Sequence, residues 1–293
     1  MIPWPTGGVG WSGIDAYDGF YDSVNHRVGF GYDNYPATGL LLINTSDNSI
    51  ATDIAGADGA AEYSAVDNQV YVADAGKIYV YSATNYDRIT TLYTSLYSIE
   101  QFRYCSATSE IYGYGRQSYH YGDGIGFYID PLGHITNSTT EDFTAPSIGN
   151  SVVVTIGDTS GMVVGRSAKI DGVDWTITAV DSQTQFEVIN LTVSPGTVTA
   201  AEKAVTWDGP KLTYLPSVGN VVGLFYSASS ERIIFEGTLT TASSVFDPIT
   251  KTVDCIIPNS QSDDLIYGCE GPDGKLFIPF DTAYYNNGVY VWR

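Results

Sequence analysis

The feature that most restricts this chain is a short pattern that keeps returning. Five times a small turn residue, a second polar or small residue and a long polar side chain open an apolar run. The copies are Asn25-His26-Arg27 before Val28, Asp67-Asn68-Gln69 before Val70, Thr108-Ser109-Glu110 before Ile111, Ser230-Glu231-Arg232 before Ile233 and Asp273-Gly274-Lys275 before Leu276. Seven residues ahead of these anchors stand Tyr21, Tyr63, Tyr104, Tyr226 and Cys269, so four of the five copies carry the same aromatic on the incoming segment. The anchors are 42, 41, 122 and 43 residues apart.

Each copy reads as four short strands joined by turns; in the second they are AAEYSAV, QVYVAD, KIYVYS and RITTLYT. Strands such as KIYVYS place bulky residues on both faces, which a sheet needs when neighbours cover it on both sides. A four-stranded unit of roughly 40–45 residues is the period of a β-propeller blade. The expected fold is therefore all-β: a five-bladed β-propeller carrying an inserted small β-barrel. In the last copy DLIYGCE, KLFIPFD and GVYVWR supply three strands, and the opening MIPWPTG is expected to add the fourth and latch the ring. Pro3 and Pro5 suit an edge strand, where a missing donor is tolerated.

The 122-residue interval admits an alternative, a seven-bladed ring with roughly 42 residues per blade. Tyrosine argues against it: the chain has 23, yet none between Ile129 and Thr213. That stretch has its own strand pattern, SVVVTIG, DWTITAVDS and TQFEVIN among others, bounded by Pro146 and by Gly209-Pro210. The expected division is a first propeller part over residues 1–143, an inserted barrel over 144–209 and a second propeller part over 210–293. HITNSTT is read as the outer strand of the third blade and NVVGLFYSAS as the inner strand of the fourth. The insert would then join outer to inner strand and flank the channel mouth.

Composition narrows the partners. The 293 residues carry 33 acidic against 13 basic side chains, a formal charge of −20, which repels phosphate backbones and excludes nucleic acid as a partner. The start has neither a basic n-region nor an apolar h-region, and no stretch reaches the roughly 18 apolar residues of a membrane helix. A soluble, unprocessed chain with no membrane insertion is expected. Cys105, Cys255 and Cys269 lack CxxC spacing, which points to thiols rather than a disulfide framework or a zinc site. Without a secretory signal, the acceptor patterns at Asn44, Asn137 and Asn190 carry little.

The segment VTIGDTSGMVVGRSAKIDGVDWTITAVDSQTQFEVIN contains a Gly-x-x-Val-Gly turn, an Ile-Asp-Gly hairpin, an aromatic-Thr-Ile-Thr strand and a Ser-x-Thr-Gln turn. In this it resembles small β-barrel segments of tailed-bacteriophage virion proteins. The remainder resembles the broad YVTN-type propeller superfamily, which speaks to fold and hardly to function. The first resemblance implies a virion protein, a tail or capsid-surface component without enzymatic activity, used in assembly or host attachment. Its partners would be other virion proteins and a host glycan or receptor, met by multiple symmetric copies.

Candidate contact residues follow from tyrosines in Gly-, Asn- and Ser-rich loops: Tyr119 and Tyr121, with Tyr284 and Tyr285, where aromatic faces stack and hydroxyls bond. The rival reading is a carbohydrate-active enzyme or calcium-dependent lectin. It gathers Asp15, Asp58, Glu100 and Asp264 at the channel mouth as paired acids or calcium ligands, against the plainer account of solvated strand starts. His26, His120 and His134 have no ligand spacing to one another and read as surface residues. There is no Gly-x-Ser-x-Gly elbow, and GYGRQSYHYGDG lacks the strand-to-helix setting of a phosphate loop. No metal site and no cofactor is expected, calcium under the rival reading excepted.

Overall fold

The computed structural model describes residues 15–34, 37–55, 59–119, 124–218, 220–237, 242–257, 269–270, 276–280 and 288–292. They form antiparallel strands, with one 3-10 turn at Pro216–Val218 and no α-helix. The first sheet is a meander of β1 (Asp15–Asp22), β2 (Arg27–Asn34), β3 (Ala37–Asn44) and β4 (Ile50–Ala55). The second repeats it with β5 (Ala61–Ser64), β6 (Gln69–Asp74), β7 (Lys77–Ser82) and β8 (Arg88–Tyr93). The third opens with β9 (Ser98–Cys105), β10 (Glu110–Arg116) and β11 (Gly124–Asp130).

Here the chain departs from the meander. β12 (His134–Ser138), β13 (Phe143–Thr144), β14 (Ser151–Thr155), β15 (Ser167–Ile170), β16 (Val173–Val180), β17 (Gln185–Ile189), β18 (Val198–Thr199) and β19 (Ala204–Asp208) build a separate unit. Six of them pair in the order β12-β19-β15-β16-β17-β14, and β13 pairs with β18. A bridge between Thr139 and Ile156 ties the end of β12 to the end of β14, the two edges of that sheet. Only then does β20 (Lys211–Leu215) return to β11 and complete the third sheet. The fourth is β21 (Val221–Ser227), β22 (Arg232–Gly237), β23 (Ser243–Asp247) and β24 (Thr252–Ile257), and the last holds β25 (Cys269–Glu270), β26 (Leu276–Phe280) and β27 (Gly288–Trp292).

First strands of successive sheets lie against each other: β1 on β5, β5 on β9, β9 on β21 and β21 on β25. This is the radial order of a β-propeller, with first strands inside and fourth strands outside. One apolar cluster fills each of the three gaps between the first four sheets. Phe20, Leu40 and Leu42 meet Val70 and Val72; Tyr71 and Ile78 meet Phe102 and Phe127; Tyr112 meets Phe235 and Phe246. Buried on both faces, β6 and β10 show no alternation, as their bulky composition requires. Each large side chain so enclosed contributes about 1.5–3 kcal/mol.

The repeat has a local cause. Tyr21, Tyr63, Tyr104 and Tyr226 stand directly across from Val28, Val70, Ile111 and Ile233 in the ladder. The turn between them ends each time on a left-handed residue, His26, Asn68, Ser109 or Glu231, which reverses the chain into the twist of the sheet. The last copy differs, for Cys269 pairs with Phe277 and not with Leu276.

One tie recurs between sheets. The side chain that opens a second strand reaches the left-handed residue closing the third-to-fourth turn of the next sheet. Arg27 donates to the Tyr86 hydroxyl and lies over its ring, 5.2 Å from the centroid, and Glu110 takes the Lys251 ammonium. Gln69 holds the same position, but the third sheet has no short turn to offer, and its buried Oε1 finds no partner among the described residues.

Two expectations are corrected. HITNS is not the outer strand of the third sheet: β12 pairs with β19, and Lys211–Leu215 takes that place. The separate unit therefore interrupts the third-to-fourth connection and does not flank the channel mouth. It packs on the outer strand of the second sheet, where Tyr93 N–H donates to Ser160 Oγ (3.0 Å), Gly161 N–H to the Thr91 carbonyl (3.3 Å) and the Thr90 hydroxyl to the Met162 carbonyl (2.5 Å). Gly161 is required there: φ is +75°, and a Cβ would stand 2.3 Å from the Pro210 carbonyl. The unit has its own core, including Phe143, Val154, Trp175, Phe186, Val205 and Trp207. The interval from Ile111 to Ile233 holds no further four-stranded meander among the described residues. The expected latch of Met1 against the last strands lies outside the described residues.

Candidate functional site

The chain passes from β8 to β9 through residues 94–97, a connector fixed by its backbone. Asp74 and Lys77 pair across a two-residue hairpin whose central Ala75 and Gly76 have φ of 38° and 79°, both positive as a mirror-image turn demands. The Thr94 hydroxyl and N–H both donate to the Gly76 carbonyl, at 2.6 and 3.1 Å. Leu96 is buried, and its carbonyl lies where a Cβ on Gly76 would stand. Ser95 donates to the Tyr214 hydroxyl from its N–H and its Oγ, at 2.9 and 3.1 Å, which anchors the connector to β20.

This arrangement turns Tyr97 outward. Its N–H donates to the Arg116 carbonyl (2.7 Å) at the end of β10, and its ring is 54% exposed. The loop that follows β10 brings Tyr119, 78% exposed, edge-to-face against it, with centroids 6.0 Å apart and planes at 89°. Two large aromatics thus face solvent as one pair. At the strand ends Arg116 is cross-strand from Ser98, and its Nε stands 3.3 Å from Glu100 Oε1, to which the Ser98 hydroxyl also donates (2.6 Å). The ion pair is about three-quarters buried, at 28% and 25% side-chain exposure.

Of the contact residues read from sequence, Tyr119 is at this surface, while Tyr121, Tyr284 and Tyr285 lie outside the described residues. Tyr97 was missed; Ser95 and Ser98 on either side of Leu96-Tyr97 were the available hint of a connector. Of the acids, Glu100 is held by Arg116 and Ser98. Asp15 opens β1 opposite Asp33, and Asp58 and Asp264 lie outside the described residues. His26 closes the first hairpin, where its Nδ1 is 3.1 Å from the Tyr21 hydroxyl. His134 Nδ1 is 2.7 Å from Asp208 Oδ1 on the surface of the separate unit, and His120 lies outside the described residues. Among the described residues no three His, Cys, Asp or Glu side chains stand close enough to share a metal ion.

An enclosed polar cluster lies between the third and fourth sheets. Tyr112, fully buried, donates to Glu110 Oε2 (2.7 Å), and Lys251 bonds both while its ammonium lies 4.4 Å from the Tyr128 ring centroid. Burial first, then the Glu110 carboxylate, push the Tyr112 phenol far above its ordinary range, so it stays a donor. Glu110 and Tyr112 come from the third sheet and Lys251 from the fourth, so the cluster is a tie between sheets.

No family model and no curated protein matches this chain. Solved structures similar to it include the β-propeller domain of Cps50 (Swd1) from Myceliophteria thermophila, at 9% identity and TM-score 0.43, covering 92% of this chain and 68% of that one. Hydrazine synthase from Kuenenia stuttgartiensis is 12% identical with TM-score 0.38, over 94% and 82%. The endosialidase of phage phi92 is 10% identical with TM-score 0.29; 90% of this chain is covered, but only 42% of the endosialidase. Likeness at this level says nothing of activity, and the propeller assignment rests on the strand order above.

Proposed function

We propose that this chain is a non-enzymatic interaction protein of a tailed-phage particle, a five-bladed propeller with an inserted barrel, present in symmetric copies at the tail or capsid surface. The phage setting rests on the resemblance of residues 154–190 to virion barrel segments. The interaction role is carried by one observation: the Tyr97–Tyr119 pair, held out to solvent by a connector that the backbone fixes. Exposed aromatics on a rigid support are the usual anchors of recognition. Of the acids in the rival enzymatic reading, Glu100 is engaged by a guanidinium and a hydroxyl. Purified particles should contain the protein in stoichiometric amount, and Tyr97→Ala/Tyr119→Ala should leave particles that assemble but attach poorly to host cells. Particles that lack the protein, or a free monomer that cleaves saccharides, would overturn the reading.

A further inference from the structure

We infer that the Tyr97–Tyr119 surface is a binding site for a neutral saccharide, a step that rests on the interaction reading above and names its ligand class. The rings meet at 89° and 6.0 Å, so one presents its face where the other presents an edge. Such a corner suits a ligand with one apolar face and a polar edge. A pyranose is that object: axial C–H groups on one side and hydroxyls around the ring. The strand ends that carry the pair also bear polar groups. Arg116 follows Tyr97 through the 2.7 Å backbone bond, and Glu100 is locked to Arg116 and Ser98, so a carboxylate acceptor and a guanidinium donor sit in fixed relation. Side by side, those two groups can accept from one sugar hydroxyl and donate to its neighbour.

Two further observations choose this occupant. The described residues that flank the pair in sequence and reach solvent are polar, Ser95, Ser98, Gln117 and Ser118, and among them the rings are not the centre of the contiguous apolar patch that a protein partner would cover. The chain carries a formal charge of −20 and Arg116 is already paired, which disfavours an anionic ligand such as a sialylated glycan.

The full chain is to be titrated by calorimetry with neutral oligosaccharides of hexose, deoxyhexose and N-acetylhexosamine, with sialyllactose as the anionic comparison. Saturable binding of a neutral member at millimolar or lower concentration is expected, with sialyllactose weaker. Tyr119→Ala should weaken it about tenfold with unchanged melting temperature, and Glu100→Gln should weaken it too. Binding by no neutral member, preference for sialyllactose, or binding indifferent to Tyr119→Ala overturns the saccharide site. If the Tyr97→Ala/Tyr119→Ala particles still lose host attachment while no saccharide binds, the interaction reading stands and the partner at this surface is a protein.

Discussion

At the scale of single residues, Asp67 shows how the inserted unit alters its host. It sits in the second sheet's first hairpin, where burial pushes its carboxyl above the ordinary 3.8, while Ser64, the Tyr71 hydroxyl and the charge of Arg166 on the separate unit pull the other way. A carboxyl raised in the folded state binds more protons folded than unfolded, so its contribution to stability is present below pH 3.8 and is lost as pH rises through the folded value. Asp67→Asn keeps an acceptor for the Tyr71 hydroxyl and removes the ionisation. The variant should melt above the parent at pH 7, and the gain should shrink to nothing below about pH 4. Melting curves across that range check it, and a variant that melts lower at pH 7 would show that the carboxylate is stabilised where it lies. None of this was legible in Asp67-Asn68-Gln69, which looks like every other turn of the repeat.

At the scale of elements, the sequence carried the grammar and hid the exception. Tyr63 opposite Val70 and Tyr104 opposite Ile111 follow from spacing alone, because a tight hairpin fixes the register. HITNS was misread since a strand after a Pro-Leu-Gly turn obeys the same grammar as a blade's outer strand. Only pairing distinguishes it from Lys211–Leu215, which lies some seventy residues further on. The ties between sheets were equally silent, for Arg27, Gln69 and Glu110 share a position without sharing chemistry. Where the tie is ionic it should matter. Lys251→Met leaves the Glu110 carboxylate largely buried beside Tyr112 without its cation, and should cost about 2–4 kcal/mol in denaturant unfolding. Glu110→Gln added to it should restore much of the loss, because the two side chains act as a pair. Additive losses would mean that packing of the Lys251 stem, and not the charge, holds the sheets together.

At the scale of the molecule, the separate unit replaces a turn. Asp130 and Lys211 are cross-strand partners, as Asp247 and Thr252 are in the fourth sheet, where four residues suffice to connect them. The unit's core is its own, and its described hydrogen bonds to the second sheet are three, at Thr90, Thr91 and Tyr93. At about 1 kcal/mol for each, they add modestly to a propeller whose gaps are filled by other residues. Replacing residues 131–210 with the Pro248–Lys251 connector of the fourth sheet should therefore leave a cooperatively folding propeller, weaker by about 2–4 kcal/mol at most. The transplanted lysine would take, in the third sheet, the place that Lys251 holds in the fourth, and so come within reach of Gln69 of the second sheet, whose buried Oε1 has no partner among the described residues of the parent. It should recover part of that loss, and Gln69→Ala in the shortened chain should abolish the recovery. Residues 131–210 alone should fold with Trp175 and Trp207 buried, as their emission will show. A shortened chain that fails to fold while residues 131–210 remain ordered would mean that the propeller depends on its guest, and that the third sheet closes only because the unit braces β8.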